Sequence, residues 1–170
     1  MKPGSLRRDG LDDIDVIVPY TERLLFAVTH VPGSTLACAA RGDAAMFATL
    51  QAYYVLAAQA VAGVGGRFIK GIGDGILLTF PPDRVGAVVP ALRSLQEDAT
   101  TLWRGFDERC RVQVKVGAGV LHCGLLGAPG AERFDIVGDA LNALFKAPWS
   151  DFHVSPDAAA LLAQGGGSNE

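Results

Sequence analysis

The run Arg67–Phe80, RFIKGIGDGILLTF, constrains the fold more than any other stretch of the chain. Two apolar-rich arms flank Gly73, Asp74 and Gly75. An Asp-Gly turn suits positive φ, so the pattern predicts a β-hairpin. Lys70 and Asp74 stand at its apex, four residues apart, and they are the only charges between Phe68 and Phe80. One cation and one carboxylate at a hairpin tip suit phosphate, metal or base recognition. A purely structural hairpin is the alternative.

The 170 residues suit one domain with a real core. About half are apolar, so the chain is of the globular class. Fifteen basic and eighteen acidic residues leave a net charge of −3, which argues against an electrostatic nucleic-acid binder. Cys38, Cys110 and Cys123 are odd in number and far apart. They form no CxxC or Cys/His cluster, so small buried thiols in a reducing compartment are expected rather than a zinc site. The start, MKPGSLRRDG, has no apolar signal core, which points to the cytoplasm. The most apolar segment, 44–64, is interrupted by Thr49, Gln51 and Gln59 and reads as a packed helix rather than a membrane span. The expected organisation is an N-terminal arm over 1–20, one domain over 21–164 and a flexible Gly-rich tail over 165–170.

Taken in order, LDDIDVIVPY reads as a short helix or a docking arm. Glu22 to His30 is a strand. HVPGST follows, with Ser34 or Thr35 as the cap of the next helix. Gly33, Ser34 and Thr35 are candidate phosphate contacts, because a glycine turn opening a helix presents free N–H groups. Asp43 opens what reads as the longest helix, with Phe47, Leu50, Tyr54, Ala57 and Val61 on its core face. After the hairpin, Pro81 and Pro82 stop the strand, and Asp83 starts a helix running to about Trp103. Cys110 to Val120 alternates as a strand, with Val112, Val114 and Val116 on one face and Arg111, Gln113 and Lys115 on the other. Leu121 to Leu126 suggests a second strand. Phe134 to Val137 is a short strand, and Asp139 is the expected cap of the helix that follows. On that helix Asn142 and Lys146 share one face, while Leu141 and Phe145 point to the core. Phe152 to Val154 is a last strand, and Ser155 caps a last helix. This order suggests an α+β fold with helices on one face of a mainly antiparallel sheet, from which the 67–80 hairpin projects.

Three segments, IKGIGDG, the GLLG turn and FDIVGDALN, occur in an order that resembles the catalytic domain of class III nucleotidyl cyclases, the adenylate and guanylate cyclases. The RGDAAMF stretch is similar to one found in bacterial members. The resemblance runs from about Leu24 to Val154. It implies a ferredoxin-like fold and head-to-tail dimers with active sites at the interface. It also implies two divalent cations, Mg²⁺ or Mn²⁺, held by two aspartates. In the implied reaction the 3′-hydroxyl of ATP attacks the α-phosphate, cyclic AMP forms and pyrophosphate leaves.

Position by position, the resemblance makes Asp74 a metal aspartate. Lys70 becomes the donor to the adenine ring and Asp135 the acceptor from its amino group. An Asp/Lys pair favours ATP, because guanine presents a carbonyl where adenine presents an amino group. Asn142 matches the residue that orients the ribose. Three positions depart from the pattern. His30 stands where the other metal aspartate belongs. Lys146 stands where an arginine stabilises the transferring phosphorus, and it lacks the planar fork. The last hairpin, with its phosphate-contacting lysine, has no counterpart before GGGSNE. These features imply an adenylate cyclase-type domain with impaired activity. The alternatives are a cyclase-like regulatory or dimerisation module and one half of a heterodimer. A diguanylate-synthesising domain shares this general fold, but its GG[DE]EF-type signature is absent, since Arg67-Phe68 follows Gly65-Gly66.

Overall fold

The computed structural model describes residues 19–165. The N-terminal arm and the Gly-rich tail lie almost wholly outside them. β1 (Tyr20–His30) enters the sheet first, and α1 (Ser34–Arg41) and α2 (Asp43–Ala62) follow. The hairpin is β2 (Arg67–Ile72) and β3 (Gly75–Phe80). α3 (Val85–Phe106) leads to β4 (Gln113–Leu126) and β5 (Arg133–Val137), and α4 (Asp139–Lys146), β6 (Phe152–Val154) and α5 (Pro156–Gly165) complete the chain.

The strands form one sheet in the order β2-β3-β1-β4-β5, antiparallel throughout, with β6 added parallel to the start of β4. This is the expected α+β class. The hairpin does not project. β3 pairs with β1 from Leu25↔Phe80 to Val28↔Leu77, so the hairpin is the edge of the sheet itself. Its turn also differs from the expectation. Gly73 alone takes a positive φ, +58°, and Asp74 does not, so the Gly-Asp dipeptide makes the reversal in the manner of a turn with glycine first. Cys110 to Leu126 holds one long strand, not two. It keeps pairing because β1 accompanies it from Tyr20↔Cys123 to His30↔Gln113.

Helices lie on both faces of the sheet. One core joins Leu25, Ala27, Leu78, Val114 and Val116 to α2, α3 and α5. The other joins Leu24, Phe26, Val28, Leu77, Leu121 and Ile136 to Leu141 and Leu144 of α4. β1 and β3 thus supply alternate residues to two apolar layers, as a doubly covered sheet requires. α4 sits close to β4, and at Gly119 a Cβ would meet the Ala140 Cβ at 2.4 Å.

Several local expectations change. Tyr53, Ala57 and Val61 are the buried face of α2, and Phe47 is 73% exposed. α2 is apolar on nearly every side, so periodicity could not select its inner face. By length and composition this helix is apolar enough to cross a membrane. Here its inner face packs against α3 and β2. α3, with 22 residues, is longer than α2, with 20. A short 3₁₀ turn, Pro82–Arg84, precedes it, and it runs on to Phe106. Gly33 and Gly138, not Ser34 or Asp139, occupy the N-cap positions of α1 and α4. On α4 the buried partner of Leu141 is Leu144, and Phe145 faces outward. Ser155 does cap α5, accepting the Ala158 N–H at 3.2 Å. Cys110 and Cys123 are buried, and Cys38 is half-buried.

Candidate functional site

Sheet register assembles the first half of the site. β1 ends at His30, and its pairing with β3 brings the turn residue Asp74 alongside that end. His30 Nδ1 lies 3.0 Å from Asp74 Oδ2. The same oxygen accepts the Val31 N–H at 2.9 Å and the Ser34 hydroxyl at 3.1 Å. Behind it, the buried Thr29 hydroxyl oxygen accepts from Tyr53 Oη at 2.7 Å and from the Ile76 N–H at 3.1 Å. Tyr54 Oη donates to the Gly73 carbonyl at 2.5 Å. The hairpin tip is thereby tied to both β1 and α2.

Gly33 begins α1 with φ +90°. Ser34 is buried and directed to Asp74, whereas Thr35 is exposed. Of the three candidate phosphate contacts, Ser34 therefore spends its hydroxyl on the carboxylate. A cavity of about 240 Å³ adjoins the pair, walled by Ile72, Ile76, Phe145 and Trp149. The Trp149 ring lies 5.2 Å from the His30 ring.

The two cations implied by the resemblance do not fit this donor set. Magnesium and manganese want several hard oxygen donors. Among the described residues Asp74 is the one carboxylate at this cavity, and one of its oxygens already accepts two hydrogen bonds and lies against His30 Nδ1. Among the described residues no three His, Cys, Asp or Glu side chains converge as a metal site.

The second half of the site is assembled across the sheet. Lys70 Nζ lies 2.6 Å from Asp135 Oδ2. The two residues belong to β2 and β5, the opposite edges of the sheet. By register Lys70 lies level with Lys115, while Asp135 lies level with Gly124, well along β4. Twist and coiling of the sheet bring the two edges together. Arg67 over the Phe134 ring, at 4.5 Å, is a second contact of the same edges. Asp135 is the more buried partner, and its Oδ1 also accepts the Ile136 N–H at 2.8 Å. A short, charge-assisted pair of this kind has a fixed geometry, which a planar heterocycle edge could use.

Asn142 and Lys146 lie on the exposed side of α4, one turn apart. Among the described residues, neither side chain makes a hydrogen bond within the chain. One residue that motif reasoning passed over stands out. Lys115 is fully buried and donates to the carbonyls of Leu144, Phe145 and Ala147 at the end of α4. Burial pushes its ammonium below the ordinary lysine value. Its sequence signal was its place among valines, in a strand whose two faces are both covered.

No family model matches the chain, and no curated protein matches it by sequence. Its fold is similar to that of the adenylyl cyclase CyaB from P. aeruginosa, with a TM-score of 0.76 and 15% identity over 86% of this chain and 83% of that one. It is also similar to the catalytic core of a rhodopsin-guanylyl cyclase with converted specificity, solved with ATPαS (TM-score 0.72, 19% identity, 85% and 83% covered). The guanylate cyclase domain of RhGC from Catenaria anguillulae, solved with GTP, gives a TM-score of 0.67 and 17% identity over 85% and 84%. The fold is that of class III adenylyl and guanylyl cyclase catalytic domains.

Proposed function

We propose that this chain is an adenylate cyclase-type domain that binds ATP, and that its formation of cyclic AMP is impaired at His30. The observation that carries this is the Lys70–Asp135 pair at 2.6 Å. Two residues 65 positions apart, each singled out for adenine, meet at one point. Lys70 donates to a ring nitrogen, and Asp135 accepts from the exocyclic amino group. Guanine offers a carbonyl to Asp135, so a carboxylate facing it would leave two acceptors opposed. Asn142 orients the ribose, Lys146 faces the phosphates, and the Gly33–Thr35 turn supplies backbone N–H groups.

Such a site is completed by a second domain placed head to tail. Exposed Val120, Leu125, Leu126 and Val137 on β4 and β5, with Ile72 at the hairpin tip, support an apolar interface there. A titration with ATP and GTP, beside a cyclase assay in magnesium and in manganese, tests the proposal. We expect ATP to bind better than GTP, with negligible turnover in magnesium and at most weak turnover in manganese. Equal affinities, or no binding of either nucleotide, would remove the adenine assignment.

A second reading is a regulatory or dimerisation module, or the half of a heterodimer that lends Lys70, Asp135 and Asn142 to a partner with intact metal carboxylates. The engagement of Asp74 Oδ2 by Val31, Ser34 and His30 favours it. Full ATP affinity without cyclase activity in either metal is its signature.

A further inference from the structure

Lys115 is an expensive residue to keep where it is. It stands in mid-sheet, opposite Val28 on β1 and His153 on β6, and its side chain lies on the α4 face with no exposure. Burying an ammonium costs several kcal/mol unless its protons are satisfied. No carboxylate lies within ion-pair distance of it among the described residues. Instead its three N–H bonds go to the carbonyls of Leu144 at 3.1 Å, Phe145 at 3.3 Å and Ala147. These carbonyls lie at the negative end of a helix, where a cation is favoured, and the Leu144 carbonyl also accepts the Ala147 N–H at 3.3 Å. The ammonium also sits 3.9 Å from the centre of the Trp149 ring. Leucine or methionine would fill the same space without the desolvation cost, so stability alone does not account for a lysine.

What lysine alone provides is a connection. α4 carries Asn142 and Lys146. Trp149, just beyond α4, packs on His30, and His30 holds Asp74. Lys115 touches the helix end and the indole at once. We propose that Lys115 is a positioning residue that fixes α4 and, through Trp149, the His30–Asp74 pair in one frame. In that frame the ribose and phosphate side of the site and the hairpin-tip side keep a constant separation. The consequence for nucleotide binding rests on the function proposed above; the mechanical link does not.

The chain has two tryptophans, Trp103 and Trp149, so ¹⁹F NMR of protein labelled with 5-fluorotryptophan reads the link directly. Trp149→Phe assigns the signals. In Lys115→Met we expect the Trp149 resonance and the His30 ring signals to move while Trp103, in the other core, stays in place. Amide exchange in the last turn of α4 should accelerate about tenfold, as a local rather than global opening. ATP and GTP dissociation constants should rise together, by about three- to tenfold, with their ratio kept, because Lys70 and Asp135 lie elsewhere. Should Lys115→Met fail to fold, Trp149→Leu serves instead. It should move the His30 signals and leave exchange in α4 unchanged.

An unmoved Trp149 or His30 signal in folded Lys115→Met overturns the proposal, as does an unmoved His30 signal in Trp149→Leu. An equal shift of Trp103 also overturns it, by making the role a general one in folding. If the native chain binds no nucleotide, the functional proposal fails on its own, and the NMR and exchange arms still decide the link.

Discussion

His30→Asp is the perturbation that most sharply separates an idle metal position from a working one. It sets a carboxylate where an imidazole Nδ1 now lies 3.0 Å from Asp74 Oδ2. Two like charges about 4 Å apart repel by about 1 kcal/mol in water and about 4 kcal/mol at an effective dielectric near 20. The two side chains are 41% and 22% exposed, so solvent screening selects the lower part of that range, about 1–2 kcal/mol. Loss of the imidazole–carboxylate contact adds up to about 1 kcal/mol. In a domain of this size each kcal/mol moves the melting temperature by about 2–4 °C, so the metal-free variant should melt about 2–12 °C below the native protein. Two carboxylates are also a donor set that a hard divalent ion accepts. An ion that binds only the folded chain should restore the loss.

The assay is a thermal scan of both proteins in EDTA, magnesium and manganese, with cyclase turnover measured beside it. The native protein should respond little to metal. The variant should recover several degrees and gain manganese-dependent turnover. A tenfold gain corresponds to about 1.4 kcal/mol of barrier. Metal-restored stability without turnover would place the remaining defect at Lys146, and His30→Asp with Lys146→Arg is the next variant. The reasoning is refuted if the native protein is stabilised by metal as strongly as the variant, or turns over ATP robustly in magnesium. Either result would mean that HVPGST has been misplaced against the metal position.

Asp135→Asn should narrow the ATP preference over GTP by about 5- to 150-fold, the equivalent of about 1–3 kcal/mol for one matched polar contact. Calorimetric titration of both nucleotides checks this, and an unchanged ratio removes Asp135 from base recognition. Its effect on folding should stay below about 1 kcal/mol, because Lys70 remains solvated. Gly117→Ala would place a Cβ 2.5 Å from the buried Phe26 ring and 3.1 Å from Leu144. It should cost about 1–3 kcal/mol in urea unfolding, and no loss would contradict the close seating of α4 on β4. Burial holds the Tyr53 phenol well above the ordinary value of 10.0. A raised folded value means that its contribution is complete below pH 10 and lost as pH climbs past it, because the unfolded chain ionises first. Urea midpoints from about pH 9 to about pH 11 should therefore fall more steeply for the native protein than for Tyr53→Phe, and parallel slopes would exclude this phenol as the cause.

Elements governed by local chemistry were legible in the sequence. The hairpin, the strand ends at the prolines, the Ser155 cap and the pairing of apolar runs follow from turn residues and alternation, which act over a few positions. The candidate positions His30, Asp74, Lys70, Asp135, Asn142 and Lys146 came from the resemblance that ordered motifs along the chain carry. Phe47 and Phe145 show where local pattern fails. Phe47 lies on a helix that is apolar on nearly every side, while Phe145 and Leu144 are neighbours on α4, and only the surrounding elements choose which is buried.

Three matters belonged to tertiary structure alone. A sheet covered on both sides turned the alternate face of β4 inward, so Lys115 became a buried anchor rather than a solvated charge. Coiling of that sheet brought opposite edge strands together and joined Lys70 to Asp135, which no pairing register contains. The register of β1 with β3 set His30 and Ser34 on Asp74. Each depends on the relative placement of elements distant in sequence. That placement is decided by the summed burial of apolar faces and the twist of the strands, neither of which is written at any single position.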